Sequence, residues 1–287
     1  MRSFVFVILQ YLLPRYWLTA AVYSIARIKS TRIKDFLITR FVRLYDVDTD
    51  EIKLELPGAF DTFNDFFIRE LNEDARVIDA AAASIVSPVD GTVSEAGALR
   101  AGRILQAKSL DYSVQDLLAT DIEEANAYED GQFATIYLAP YNYHRVHAPL
   151  AGELVAARYV PGDLFSVNHA TASRVRGLFR RNERLILHFR TAYGRAAVIL
   201  VGALNVGSIS TPWSGEIRPR RSGVVEIVKL AGHRTTVDKG DLLGWFNMGS
   251  TVILLMPQGI SEWHANMQAG ERLRMGEAIG TLSDRPA

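Results

Sequence analysis

Three short stretches hold the side chains whose types and spacing could do chemistry: Ser87-Pro-Val-Asp90-Gly91, His144-Arg-Val-His147-Ala-Pro149 and Met248-Gly249-Ser250-Thr251. Together they offer a carboxylate, an imidazole and a hydroxyl in the chain order Asp, His, Ser. One of the unrelated serine-hydrolase folds uses that order, so a triad of Asp90, His147 and Ser250 is permitted without its reaction being named. Ser250 lacks the Gly-x-Ser-x-Gly elbow of an α/β-hydrolase, since Val252 stands where its second glycine would lie. It has instead a glycine directly before it. A carbonyl flanked by Gly249 is the least hindered electrophile a chain can offer to its own neighbouring hydroxyl, so attack of Ser250 on that carbonyl is sterically feasible.

His144 and His147 could also be half of a metal site. The surrounding Tyr-His-Arg-Val-His reads as strand, on which residues three apart point to opposite faces, and no third ligand stands out. Two separate roles are the better reading, and no metal is assigned.

The chain contains no cysteine, which removes disulfides, thiolate nucleophiles and Cys-ligated zinc or iron–sulfur centres. Its 32 basic and 32 acidic residues cancel, which argues against a global field for nucleic acid. With 48% hydrophobic residues over 287 positions there is ample core material, and we expect one main body with an appendage.

The appendage is residues 1–45. Arg2, Arg15, Arg27, Lys29, Arg32, Lys34, Arg40 and Arg43 face a single acid there, Asp35, and they are interleaved with Phe4 to Leu9, Tyr11 to Leu13, Tyr16 to Leu18 and Phe36 to Ile38. Apolar and cationic groups sharing one short stretch describe an element that lies on an anionic bilayer. A spanning helix needs about 20 consecutive apolar residues, and Gln10, Pro14 and Arg15 interrupt the run. Two short helices hinged near residue 14 are predicted. A secretory signal is disfavoured because no small-residue cleavage site follows the apolar run.

Residues 46–287 form the second predicted unit. Within 61–78, Asp61 or Thr62 can cap a helix that places Phe63, Phe66, Phe67 and Leu71 on one face. From about residue 84 the pattern changes to short β-branched and aromatic runs: Phe133 to Leu138, Leu185 to Phe189, Ala197 to Val201, Val224 to Val228 and Thr251 to Leu255. Gly162-Asp163 and Gly240-Asp241 read as tight turns. Pro88-x-x-Gly91 and Pro149-x-x-Gly152 echo each other, a hint of a repeated hairpin unit. The fold class is α+β, mainly β: an antiparallel barrel or sandwich of hybrid-motif style behind N-terminal amphipathic helices.

These motifs, in this order, resemble bacterial phosphatidylserine decarboxylase of the pyruvoyl-dependent, prokaryotic type. The likeness runs through Leu9-Gln-Tyr-Leu-Leu-Pro14, Thr62-Phe-Asn-Asp-Phe-Phe67, Ser87 to Gly91, Ile104-Leu-Gln-Ala-Lys108 and Tyr143 to His147. It continues through Val160-Pro-Gly-Asp-Leu-Phe-Ser-Val-Asn-His169, Asn182-Glu-Arg184, Leu200-Val-Gly-Ala203 and Gly249-Ser-Thr251, with Met248 where the family usually has Leu.

The resemblance implies that Asp90 supports His147, which deprotonates Ser250 for attack on Gly249. The chain would part into 1–249 and 250–287, leaving a covalent pyruvoyl group at position 250 that condenses with phosphatidylserine as a Schiff base. His144 would handle the proton at Cα after carbon dioxide leaves, and Tyr137 and Ser166 would contact the headgroup. It further implies a peripheral protein on the cytoplasmic face of the bacterial inner membrane, phosphatidylethanolamine as product, and two chains from one precursor, with a dimer of such pairs left open. Two readings from other classes stand beside it. A membrane-bound carrier of hybrid-motif fold would be indifferent to Ser250→Ala, and a Ser-His-Asp lipid hydrolase would be labelled at Ser250 by a fluorophosphonate.

Overall fold

The computed structural model describes residues 2–107, 110–120, 125–230, 234–259 and 261–283. Lys108, quoted above for the resemblance, and the last four positions of the 250–287 segment lie outside them. Strands are numbered β1 to β18 along the chain.

Four of the five predicted runs become the central strands of a nine-stranded antiparallel sheet, and Val224 to Val228 supplies its edge strand. Its path is β12 (Glu226–Val228), β7 (Gly152–Val160), β8 (Arg184–Thr191), β9 (Gly194–Val201), β15 (Ser250–Met256), β5 (Gln132–Leu138), β2 (Gly91–Ala98) and β17 (Arg272–Leu273), with β13 (Thr236–Val237) also paired to β7. Every residue of β15 is buried. A strand covered on both faces reads as a continuous apolar run rather than an alternating one, as Val252 to Met256 does. Burial of such runs from β5, β8, β9 and β15 removes the largest block of apolar surface from water and forms the main core.

A four-stranded sheet of β11 (Gly215–Ile217), β10 (Ile209–Thr211), β14 (Leu242–Phe246) and β6 (Arg145–His147) carries the histidines. Smaller sheets join β1 (Ser84–Val86), β18 (Ala278–Leu282) and β16 (Ser261–Trp263), and β3 (Arg103–Ala107) with β4 (Leu110–Ser113).

The predicted barrel is not closed. The large sheet ends at β12 on one side and β17 on the other, strands of three and two residues that do not pair with each other. Short edge strands of this kind are a common way of ending an open sheet without a long unpaired edge. The two Pro-x-x-Gly echoes do share a local role: Gly91 opens β2 and Gly152 opens β7. A Cβ at Gly91 would lie 2.7 Å from the Tyr137 carbonyl oxygen, and one at Gly152 would lie 2.8 Å from that of Arg190. Each glycine therefore permits a close backbone approach at a strand start.

At the N-terminus α1 (Arg2–Leu12) and α2 (Arg15–Ala26) meet at 91° around Pro14, and α3 (Thr31–Tyr45) follows. Among the described residues no single helix is long and apolar enough to cross a membrane, although the bent pair passes that test by length and composition. The hinge is tied to the body. Gln10 donates to Thr171 Oγ1 at 3.0 Å and accepts from the Ser166 amide at 2.8 Å, and Arg15 pairs with Asp163 at 2.9 Å. Leu12 and Trp17 remain 77% and 80% exposed, so the hinge region presents an uncovered apolar face.

The helix expected over 61–78 is confined to α4 (Phe63–Phe67), capped by Thr62, whose hydroxyl accepts from the Asp65 amide. Tertiary pairing ends it: Leu71 bridges Ile52, and the buried Arg69 guanidinium turns inward to the carbonyls of Tyr141 and Asn142. The four phenylalanines Phe60, Phe63, Phe66 and Phe67 form a second small core with Ala26 and Ile38, against which Tyr141 and Met248 pack.

Candidate active site

Ser250 is the first residue of β15 and pairs with Leu138, the last residue of β5. On the other side of β5, Thr92 pairs with Tyr137, so Gly91 sits one residue further on, opposite Leu138. Asp90 and Ser250 thus emerge at the same end of the sheet, two strand spacings or roughly 10 Å apart in backbone. His147 reaches this end as well, because its amide donates to the Pro88 carbonyl at 2.8 Å.

The histidine strand is joined to the segment before Ser250 through β14. Leu242 pairs with His147 and Trp245 with Arg145, and the Phe246 amide then donates to the His144 carbonyl at 3.1 Å. The loop from Ala139 to Tyr143 and the segment from Asn247 to Gly249 therefore start and finish against the same two strands. Phe67 of α4 closes the site, its ring centroid 4.1 Å from that of His144.

Ser250 Oγ and His144 Nε2 are buried without a hydrogen-bond partner, as are the nearby Thr251 Oγ1 and Arg69 Nε. An unsatisfied buried group is costly, and its presence on a reactive side chain leaves hydrogen-bonding capacity for something else. His144 Nδ1 lies 2.8 Å from the Asn142 carbonyl oxygen. A carbonyl only accepts, so Nδ1 carries the proton and Nε2 presents a lone pair. Burial, and after it the charge of Arg69, pushes the His144 pKa down to about 3, so the ring is neutral at physiological pH.

His147 has the same tautomer. Its Nδ1 donates to the Gly240 carbonyl at 2.7 Å, and its Nε2 accepts from the Tyr143 hydroxyl at 3.1 Å. Burial lowers its pKa, while the Gly240 bond and the charge of Asp90 act against that. The orienting partner expected from sequence was Asp90; in the structure it is the Gly240 carbonyl. Asp90 is held elsewhere, bonded to Arg76 through both oxygens at 2.8 and 2.5 Å and accepting from the Met275 amide at 2.9 Å. It faces His147 as a fixed charge rather than as a hydrogen-bond partner, and His147 is bonded to Tyr143 rather than to Ser250.

An added Cβ at Gly249 would meet no atom within 4 Å. Packing therefore does not demand glycine there, and the open space lies on the carbonyl side of the Gly249–Ser250 bond. The residue before it, Met248, has φ 102°. Asn247 is buried and fully bonded, its Oδ1 accepting from Asn64 at 3.1 Å and its Nδ2 donating to Ser208 and Ser210 at 2.8 and 2.9 Å.

Tyr137 pairs with Thr251, so the pleat puts its side chain on the opposite face from that of Ser250. Ser166 lies on the loop that Gln10 of α1 grips. None of Arg76, Tyr143, Gly240 and Asn247 is given a role in the site by the sequence, which marks Gly240 only as a turn and Tyr143 only as part of a matched segment. Tyr143 and Asn142, adjoining the histidine pair, carried a positional signal, whereas Arg76 and Asn247 reach the site only through long-range folding.

The residues from Asp90 to Ser250 fall within a single family match. The family model described as phosphatidylserine decarboxylase matches residues 63–281, and a further model described as PSD matches residues 5–46. The chain is 44% identical over 285 residues to the phosphatidylserine decarboxylase proenzyme of Alcanivorax borkumensis, with 99% of this chain and 98% of the relative covered. It is 45% identical to the protein of that name from Psychrobacter arcticus, with 96% and 98% covered, and 44% identical to that from Saccharophagus degradans, with 98% and 99% covered. The chain belongs to the phosphatidylserine decarboxylase family.

Proposed function

We propose that this chain is the precursor of a decarboxylase that converts phosphatidylserine to phosphatidylethanolamine and carbon dioxide, after cutting itself between Gly249 and Ser250. The observation that carries the reading is the buried, unpartnered Ser250 hydroxyl at a strand start, with open space at the glycine before it. Full-length similarity to proteins named as proenzymes supports it.

In maturation, His147 Nε2 exchanges the Tyr143 hydroxyl for that of Ser250 and takes its proton. Ser250 Oγ bonds to the Gly249 carbonyl carbon, the C–N bond breaks, and the proton passes to the leaving nitrogen. Asp90 favours the transient imidazolium through space. Loss of the Cα proton of residue 250 then expels the Gly249 carboxylate, and water replaces the nitrogen as ammonia.

The residues present fit a pyruvoyl group at position 250, since its precursor side chain has no competing partner and a neighbouring imidazole nitrogen is unsatisfied. Such a keto group supplies an electron sink for the charge left on Cα when carbon dioxide departs. His144 Nε2, on a neutral ring with its lone pair unpaired, relays a proton from the substrate ammonium to Cα without storing it. Asn142 keeps the proton on Nδ1 throughout.

We further propose that α1 and α2 rest on the cytoplasmic face of the inner membrane, their exposed Leu12 and Trp17 in the interface and the exposed Lys29 and Arg32 that follow them over anionic headgroups. A free-floating enzyme would have to draw two acyl chains into water, at large hydrophobic cost.

Intact-mass measurement of freshly purified protein tests the maturation. Fragments of residues 1–249 and 250–287, the smaller lacking a free amine, are expected, and Ser250→Ala is expected to stay whole. An uncut chain with full decarboxylase activity sinks the proposal.

A further inference from the structure

The stretch just before the scissile bond is held more tightly than the bond's chemistry requires. Asn247 is 2% exposed, and both its side chain and its backbone are committed. Besides the three side-chain bonds to Asn64, Ser208 and Ser210, its amide donates to the Ser208 carbonyl at 2.9 Å and its carbonyl accepts from the Gly207 amide at 2.9 Å. Two separate parts of the chain, α4 and the segment from Gly207 to Ser210 that leads into β10, converge on this one residue. Three positions later Ser250 is fixed again, in register with Leu138.

Between these anchors Met248 takes φ 102°. Such a positive angle is a rare and strained one for an unbranched bulky side chain, and surrounding structure must enforce it. Gly249, which could absorb the angle at no steric cost, is not the residue that does so. The strain is thus placed on the carbonyl side of the bond that is cut, one residue away from it.

We propose, on the reading that cleavage falls between Gly249 and Ser250, that Asn247 is a positioning residue for self-cleavage: it clamps the chain so that Met248 is held in a strained backbone that relaxes once the acyl group leaves nitrogen. Converting an amide to an ester is uphill, so tension present in the amide and absent afterwards closes part of that gap. The route from the Gly249 carbonyl carbon to Ser250 Cα runs through nitrogen alone in the amide, and through Oγ and Cβ in the ester. One more atom gives the slack that Met248 needs.

The test uses the full chain and three variants. Hydroxylamine traps the ester as a hydroxamate of the 1–249 fragment, which mass spectrometry quantifies. Asn247→Asp keeps the acceptor and loses both donated bonds. It is expected to slow trapping on the order of tenfold while its uncut form still melts cooperatively, and Ser210→Ala, which removes one bond, is expected to slow it less. Met248→Gly is expected to raise the melting midpoint of the uncut form, measured in a Ser250→Ala background, by about 2–4 °C relative to its effect on the cut form, and to slow trapping severalfold.

Equal midpoint shifts in the cut and uncut forms, or trapping at the wild-type rate in Asn247→Asp and Met248→Gly, overturn the clamp. Cleavage persisting in Ser250→Ala alone would instead overturn the assignment of the cut site, so the two failures are distinguishable.

Discussion

The carbonyl of His144 accepts the amide of Phe246 at 3.1 Å, and Phe246 lies four residues before Ser250. That one backbone bond puts an imidazole with a free nitrogen and a hydroxyl with no partner at the same strand end, although 106 positions separate them in sequence. Their relative placement is set by sheet register, so it survives exchange of either side chain.

Because His147 and His144 hold the same tautomer in different surroundings, their removal is expected to separate two activities. His147→Ala leaves the chain uncut, whereas His144→Ala is cut and then fails to decarboxylate. Gel analysis and carbon dioxide release on the same preparations check this. Normal decarboxylation by processed His144→Ala would remove that residue from the proton path.

Gly249→Ala isolates carbonyl access from packing. With no atom within 4 Å of the added methyl and no left-handed angle at this residue, the precursor is expected to fold with stability within about 0.5 kcal/mol of wild type. Processing is expected to slow by at least tenfold. A destabilised precursor, seen in urea titration, would mean that glycine is structural here.

The pH dependence of the uncut precursor reports the buried imidazole. An unfolded His144 binds its proton near pH 6.5, while burial in the folded chain delays binding to about pH 3. Between those values the unfolded state holds more protons, so stability falls as pH drops below about 6.5, by up to about 1.4 kcal/mol per pH unit from this group. In a Ser250→Ala background, His144→Gln is expected to flatten that slope between pH 6 and pH 4. An unchanged slope would show that the ring is accessible to protons.

Glu183 behaves in the opposite direction. It is fully buried, accepts from Tyr159 Oη at 2.6 Å, and burial raises its pKa to about 8. The folded state holds the extra proton between the usual carboxylate range and pH 8, so its contribution is complete below about pH 4.5 and is lost as pH rises through 8. Glu183→Gln is expected to be most stabilising above pH 8, where the wild type must bury a charge or unfold. Calorimetry at pH 6 and pH 9 checks the divergence.

Much of the large sheet was legible in sequence because its central strands are covered on both sides. Phe133 to Leu138 and Thr251 to Leu255 are apolar runs that suit nothing else in a chain of this kind. The hinge at Pro14 was legible for a local reason, the missing amide of proline. The short α4 was not, since the phenylalanine spacing suits a longer helix and only the inward turn of Arg69 and the Leu71 bridge to Ile52 cut it off.

The reactive types at 90, 144, 147 and 250 could be read from their motifs. Their hydrogen bonds could not. Arg76 and Gly240 take up Asp90 and His147 from 14 and 93 positions away, and nothing local in either motif announces those partners. The same holds for Asn247, whose side chain is bonded to a residue 183 positions earlier.

β15 sits in the interior of the large sheet, with β9 on one side and β5 on the other. The proposed cut at its first residue therefore leaves the shorter piece paired with β5 from Ser250 to Met256 and with β9 from Thr251 to Leu255, rather than appended at a rim. The newly made terminus cannot drift, because the strand behind it is gripped along its whole length. On the proposed maturation the keto group is mounted on an interior strand of the sheet, and denaturing conditions should be needed to draw the two polypeptides apart.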